Sequence, residues 1–136
     1  MTSRILIVEN DMDLLGALEH ALSMAGYNVA VTSHGADVRE LISLFQPGIV
    51  ITAMIWSNED SIEWLDELHH YSTTTKVIAI SRNGYLLRLA TEHGADFVVQ
   101  KPFDPRQICR LVRQALDQPL SGAPNAVRRK GEYAYQ

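Results

Sequence analysis

The sequence predicts an α/β fold in which helices cover both faces of a parallel sheet. Three observations support this prediction. Short runs of apolar residues have the length and the continuous hydrophobicity of strands buried on both faces. Longer segments carry apolar residues at three- and four-residue steps, as amphipathic helices do. The two kinds of segment alternate along the chain, which is the order that βα units produce.

Five apolar runs are predicted to be strands. They are Ile5–Val8, Val29–Val31, Ile49–Ile51, Val77–Ile80 and Phe97–Val99. Right-handed crossovers between such strands leave few topologies. The prediction is a flavodoxin-like (βα)5 doubly wound sheet with strand order 2-1-3-4-5, which places chemistry at the carboxyl ends of the strands.

A helical stripe follows each predicted strand. Gly26 and Gly94 close the first and fourth helices at the position of a C-cap glycine. Pro47 ends the second helix, and Asp104-Pro105 opens the fifth with an N-cap residue and a proline at the first helical position. The apolar stripes are Leu14, Leu18, Ala21, Leu22 and Ala25; Val38, Leu41, Ile42 and Phe45; Ile62, Leu65 and Leu68; Leu86, Leu89 and Ala90; and Ile108, Leu111, Val112, Ala115 and Leu116.

Length and composition predict one globular domain. The chain has 136 residues, of which residues 1–118 carry the alternating pattern. Residues 119–136 are turn-rich and aperiodic, and we interpret them as a flexible tail or linker. A net charge of −4 argues against nucleic-acid binding through the main domain.

The sequence also predicts a cytoplasmic protein that does not bind membranes. No apolar run approaches the roughly 18 residues of a membrane span, and the N-terminus lacks the layout of a signal peptide. The single cysteine, Cys109, permits no internal disulfide, which is typical of a reducing compartment.

Polar residues stand where three of the predicted strands end. Glu9, Asn10 and Asp11 follow the first strand, Ser81 ends the fourth, and Lys101-Pro102 follows the fifth. Acidic side chains, a hydroxyl and a lysine at one sheet edge suit a phosphate and a divalent metal.

At these segments the sequence resembles the receiver domain of bacterial two-component response regulators. The resemblance rests on residues 4–11, 47–54, 77–81 and 94–103, which occur in the family's order and spacing, and it covers residues 3–117. It implies a phosphoacceptor aspartate after the third strand, an acidic metal-binding pair after the first, a switch Ser or Thr at Ser81 and the family's lysine at Lys101.

The departures from that pattern predict a pseudo-receiver, which is not an enzyme. Ala53 stands at the phosphoacceptor position, and a methyl group cannot form an acyl phosphate. Asn10 replaces the second acid of the metal pair, so Mg²⁺ binding is expected to be weak or absent and no cofactor is expected. Val98 replaces the family's switch aromatic, and Trp56-Ser57 stand where the loop usually carries Met-Pro.

Two predictions concern the remaining pocket. Because an unpaired buried ammonium is costly, Lys101 needs a partner in place of the lost aspartate, and we expect an ion pair with Glu9. The resemblance also implies a cis Lys101-Pro102 bond. A structural alternative is that Glu9 and Asp11 serve to cap the first helix.

The function that we expect is an atypical single-domain response regulator that binds proteins independently of phosphorylation. The partners would be a histidine kinase, a phosphotransferase or another signalling protein.

One alternative is a decoy that occupies a kinase or phosphotransferase without accepting phosphate, and another is a receiver inactivated by an engineered Ala53. The oligomeric state and the presence of an output domain stay open. In the family, partners dock on the face formed by helix 4, strand 5 and helix 5, so the resemblance implies that partners bind Tyr85, Leu86, Arg88, Leu89, Phe97, Arg106, Arg110 and Arg113. Trp56 is a further candidate, as an exposed aromatic anchor beside the pocket.

Overall fold

A computed structural model describes residues 3–35, 38–54, 58–72 and 74–117. The predicted tail, residues 119–136, and Trp56 lie outside these ranges. No helix in the described part of the chain combines the length and the apolar character of a membrane span.

Five strands form one parallel sheet. They are β1 (Arg4–Val8), β2 (Asn28–Thr32), β3 (Ile49–Ala53), β4 (Lys76–Ser81) and β5 (Phe97–Gln100). The strand order is β2-β1-β3-β4-β5, with every neighbouring pair parallel. The predicted fold class and strand order are therefore confirmed.

Five helices connect or follow the strands. They are α1 (Met12–Met24), α2 (Val38–Phe45), α3 (Asn58–Tyr71), α4 (Gly84–Glu92) and α5 (Pro105–Asp117). Positive φ angles at Gly26 (99°) and Gly94 (113°) follow α1 and α4, as the sequence predicts. These angles lie in the region that glycine adopts without the steric cost of a Cβ.

The sheet is buried on both faces, which explains why its central strands are so apolar. Ile5 and Ile7 of β1 pack in one cluster with residues of α1 and α5. Leu6 and Val8 point to the other face, where they pack with residues of α2, α3 and α4. All four side chains are fully buried. The alternation along each strand therefore supplies two cores, one on either side of the sheet.

Asp11 begins α1 as its N-cap residue. Its Oδ1 accepts hydrogen bonds from the backbone N–H groups of Asp13 (3.1 Å) and Leu14 (3.2 Å). These are donors that the first turn of a helix cannot satisfy internally. The capping role that the sequence offered for Asp11 is confirmed.

We expect Asp11→Ala to lower the free energy of unfolding by about 1 kcal/mol, because it removes this cap. Asp13→Ala is the matched control: Asp13 is another acid at the start of α1, and it contributes to the helix chiefly through its charge. Urea denaturation of both variants measures the difference. Equal losses would show that charge at the helix start, and not capping, is what Asp11 contributes.

Candidate functional site

The carboxyl ends of four strands bring the candidate residues to one edge of the sheet. In the strand register, Val8 lies opposite Thr52, and Ala53 lies opposite Ile80. Glu9 follows β1 directly, and Lys101 follows β5. The residues that were predicted from separate segments of the sequence therefore belong to one site.

Glu9 and Lys101 form the centre of this site. Lys101 Nζ lies 2.8 Å from Glu9 Oε1, and the two side chains are 13% and 0% exposed. Glu9 Oε2 accepts a hydrogen bond from the backbone N–H of Asp11 at 3.0 Å. The contact at Oε1 is ionic and lacks hydrogen-bond geometry, so Oε1 accepts no hydrogen bond among the described residues. The predicted ion pair is confirmed.

Residue 53 contributes only a methyl group to the site. Ala53 ends β3 and is 1% exposed. The neighbouring Thr52 is also buried, and its hydroxyl donates to the carbonyl oxygen of Ala53 at 3.1 Å. Acyl-phosphate chemistry requires a carboxylate nucleophile, which neither side chain supplies.

Ser81 is tied to the start of α4. Its Oγ accepts a hydrogen bond from the backbone N–H of Asn83 at 3.0 Å, while its carbonyl oxygen accepts from the N–H of Lys101 at 2.8 Å. The Lys101-Pro102 peptide bond is cis, as the resemblance implies. Ser81 therefore links the end of β4 both to the start of α4 and to Lys101.

The acidic residues at this edge are already engaged within the protein. Glu9 contacts the Lys101 ammonium, and Asp11 caps α1. The side chain of Asn10 is exposed and carries no charge. A hard dication prefers several oxygen ligands with charged carboxylates among them, so this donor set does not fit Mg²⁺ well.

The predicted partner-binding residues divide into two groups. Tyr85 is 58% exposed, and Arg88, Arg106, Arg110 and Arg113 are exposed as well. Leu86 and Leu89 are half-buried, with Leu86 packed against the core on the α2–α4 side.

The prediction that Phe97 binds partners is wrong. Its side chain is only 6% exposed and packs in the core between the sheet and α1 and α5. Side chains alternate along a strand, so Phe97 and Val99 point to that face while Val98 points to the opposite one.

Two contacts between α3 and the end of α4 escaped sequence analysis. His93 Nδ1 lies 3.0 Å from Asp66 Oδ1, and His69 Nε2 lies 2.9 Å from the carbonyl oxygen of Gly94. Each contact joins residues more than 20 positions apart in the sequence, so no local pattern predicts it. Asn83 is the N-cap residue of α4, where its Oδ1 accepts hydrogen bonds from the backbone N–H groups of Tyr85 and Leu86. This role had a local signal, because an asparagine before a helical segment is a frequent N-cap.

Comparison with known proteins places the chain among two-component proteins. A family model for the response regulator receiver domain matches residues 5–113. The DNA-binding transcriptional regulator NtrC of Bradyrhizobium is 29% identical over 117 residues, which are 85% of this chain and 24% of that protein. The transcriptional regulatory protein CpxR of Klebsiella pneumoniae is 30% identical over 115 residues, which are 84% of this chain and 49% of that protein.

Solved structures agree with this result. The N-terminal domain of the nisin resistance regulator NsrR is 28% identical with a TM-score of 0.74, covering 85% of this chain and 99% of that one. A CheY-like receiver domain protein from Methanospirillum hungatei has a TM-score of 0.78 at 22% identity, covering 86% and 95%. The chain thus spans a quarter to a half of the length of curated relatives such as NtrC and CpxR. By contrast, the match covers 95% and 99% of the two solved receiver structures.

Proposed function

Because the chain belongs to the response regulator receiver domain family, we propose that it is an atypical receiver that binds signalling proteins without being phosphorylated at residue 53. Receiver domains act on their partners through their surface, and enzymatic catalysis is not their general role. The proposal concerns this domain alone, since curated relatives such as NtrC and CpxR are longer proteins.

The observation that carries the proposal is the pair of Ala53 and the Glu9–Lys101 contact. Residue 53 offers no carboxylate, so phosphoryl transfer to this position has no nucleophile. The ammonium of Lys101 is held 2.8 Å from Glu9, and both side chains are largely buried. An acidic residue and a lysine that would serve phosphate and metal in the family instead neutralise each other.

This arrangement also bears on how the domain is regulated. Ser81 Oγ accepts a hydrogen bond from the backbone N–H of Asn83, and Ala53 cannot carry a phosphoryl group that would draw this hydroxyl towards residue 53. A conformational equilibrium shifts only when a ligand binds one state more tightly than the other. Regulation would therefore depend on a partner's preference for one state of the α4–β5–α5 region.

The decoy function uses the same inert pocket and differs in the partner that the domain occupies. A decoy would bind a histidine kinase or phosphotransferase through the α1 face, where Met12 is 64% exposed. Competition with an active receiver for such a kinase would favour the decoy over a binding module for other proteins.

The proposal is tested with beryllofluoride and Mg²⁺, which mimic an acyl phosphate on a receiver aspartate. We expect the backbone amide signals of Ser81 and Lys101 to show no saturable shift in NMR titrations of the natural chain. A control variant, Asn10→Asp/Ala53→Asp, restores both missing carboxylates and should respond. A saturable shift in the natural chain would show that the pocket is still responsive and would overturn the proposal.

A further inference from the structure

The amino-terminal edge of the sheet holds an open cavity of about 880 Å³. Arg4, Gly48 and Thr75 line it where β1, β3 and β4 begin, and Leu116 lines it from the last turn of α5. Sites for small molecules generally occupy about 300–1,000 Å³. The cavity therefore has the size of a ligand site. It lies about 16 Å along β1 from Glu9, as the rise of an extended strand over five residues gives, at the opposite edge of the sheet.

The charges that line this cavity differ from those of the surrounding chain. Residues 1–75 contain eleven Asp or Glu and only two Lys or Arg, which are Arg4 and Arg39. Both arginines line the cavity although they are 35 positions apart, and no Asp or Glu within the described ranges lines it. The fold thus brings two cations of an acidic segment to one concave surface, where a positive lining attracts anions.

Arg4 keeps most of its hydrogen-bond donors available. Its Nε donates to the carbonyl oxygen of Gln46 at 3.2 Å, which holds the side chain beside the end of α2. An arginine carries five N–H donors. The remaining four, on the two Nη atoms, have no partner in the part of the chain that the structure describes. Arg4 is exposed, so these donors can receive an anion that enters the cavity.

Arg39 is shared with a carboxylate outside the lining. Its Nε donates to Glu67 Oε2 at 2.6 Å, and its Nη2 donates to the other carboxylate oxygen. These hydrogen bonds hold the pKa of Glu67 below its usual value. The two side chains are 59% and 39% exposed, and ion pairs this exposed contribute little to stability. Arg4 is therefore the principal anion contact, and an anion could share Arg39 with Glu67 at little cost.

The hydroxyl groups of the lining divide into two kinds. Ser72 Oγ lies 2.6 Å from Thr75 Oγ1, which in turn donates to the carbonyl oxygen of Pro47 at 3.1 Å. These two hydroxyls are engaged in holding the wall. The hydroxyls of Ser43 and Thr74 are exposed and make no hydrogen bond to another described residue. They are available to a ligand beside the Arg4 guanidinium.

From this geometry we propose that the cavity binds a small phosphorylated organic molecule. A phosphate group presents three acceptor oxygens, so it can meet an arginine and hydroxyl donors at once, whereas a carboxylate presents only two. The volume exceeds the needs of a free phosphate ion, and an organic group would contact the apolar part of the lining, which is Ile42, Pro47 and Leu116. The inference does not depend on the proposed function, since that function concerns the opposite edge of the sheet.

Phenyl phosphate, which joins one phosphate to one apolar ring, is the probe that tests the proposal on the full chain. In about 0.15 M salt, where distant charges are largely screened, we expect saturable NMR shifts at the backbone amides of Arg4, Gly48 and Thr75. The expected dissociation constant is about 1–10 mM, as the ligand efficiency of so small a molecule gives.

Arg4→Gln should weaken binding about tenfold, because it removes a charge-assisted contact. Arg82→Gln removes the same charge at an exposed position outside the lining, at the carboxyl end of β4, and should leave the affinity within about twofold.

A second pair of variants leaves Arg4 and its contact with Gln46 in place. Ser43→Asp puts a negative charge into the lining at an exposed position of α2, and should weaken binding about fivefold. Ser43→Asn introduces a side chain of similar size without the charge, and should retain most of the affinity. Equal binding by these two variants would contradict the presence of an anion in the cavity.

Several outcomes would overturn the proposal. Equal weakening by Arg4→Gln and Arg82→Gln would show that only the overall charge matters. Phenol that binds as tightly as phenyl phosphate would show that the cavity selects apolar groups alone, benzoate that does so would assign it to carboxylates, and inorganic phosphate that does so would assign it to the free ion. Shifts confined to Ser81 and Lys101 would place the ligand at the opposite edge of the sheet.

This inference and the proposed function fail separately. Absence of phenyl phosphate binding would refute a site for organic phosphates while leaving residue 53 without a nucleophile. A saturable response of Ser81 and Lys101 to beryllofluoride and Mg²⁺ would refute phosphorylation independence while leaving the results at Arg4 unaffected.

Discussion

Replacing Lys101 by methionine is expected to destabilise the domain by about 3 kcal/mol. The substitution leaves the fully buried carboxylate of Glu9 without the cation that lies 2.8 Å from it. Removing one partner of a buried pair costs about 3–5 kcal/mol, and the lower end applies because Lys101 retains some exposure. Urea denaturation at neutral pH measures the loss.

The double variant Glu9→Gln/Lys101→Met is the control for this prediction. It removes both charges while the glutamine oxygen can still accept the hydrogen bond from the Asp11 N–H. Replacing both members of a buried pair is often close to neutral, so the double variant should regain most of the lost stability. A Lys101→Met protein as stable as the natural chain would contradict the expectation that the pair matters to the fold.

Gly94→Ala is expected to cost about 2 kcal/mol, from two separate causes. Gly94 has φ of 113°, a conformation that strains any residue with a Cβ. An added Cβ would also fall on the imidazole of His69, which must then leave the Gly94 carbonyl oxygen that it contacts at 2.9 Å. The loss of that contact adds about 1 kcal/mol to the strain.

Gly26→Ala separates the two causes. Gly26 has a similar φ of 99°, but no atom lies within 4 Å of the position that a Cβ would take. We therefore expect it to cost about 1 kcal/mol, from strain alone. Thermal or urea unfolding of both variants gives the comparison. Equal losses would show that the His69 contact between α3 and the end of α4 adds nothing to stability.

The residues themselves were enough to predict the fold, whereas the centre of the site was predicted from the resemblance to the receiver family. Apolar runs of strand length alternating with helical stripes permit few arrangements, because parallel strands with right-handed crossovers must bury both faces of the sheet. The sequence itself shows that neither Ala53 nor Asn10 carries a carboxylate, and therefore that phosphoryl transfer and metal binding lack these groups. Once the resemblance had identified Lys101 as the family's lysine without its usual aspartate, the Glu9–Lys101 pair was predictable, since a buried ammonium requires a nearby anion.

Tertiary structure decided the contacts that depend on packing between distant segments. Two predictions disagreed for Phe97: the apolar run Phe97–Val99 predicted a strand buried on both faces, whereas the resemblance placed Phe97 among the partner-binding residues. The packing of β5 beside β4 decides between them, because it turns Phe97 into the core. The contacts of His69 and His93 with Gly94 and Asp66 arise only when α3 packs beside α4. Local periodicity determines which face of a helix or strand is apolar. The partners of a side chain across the fold depend instead on how the packed elements lie relative to one another, and no local pattern contains that information.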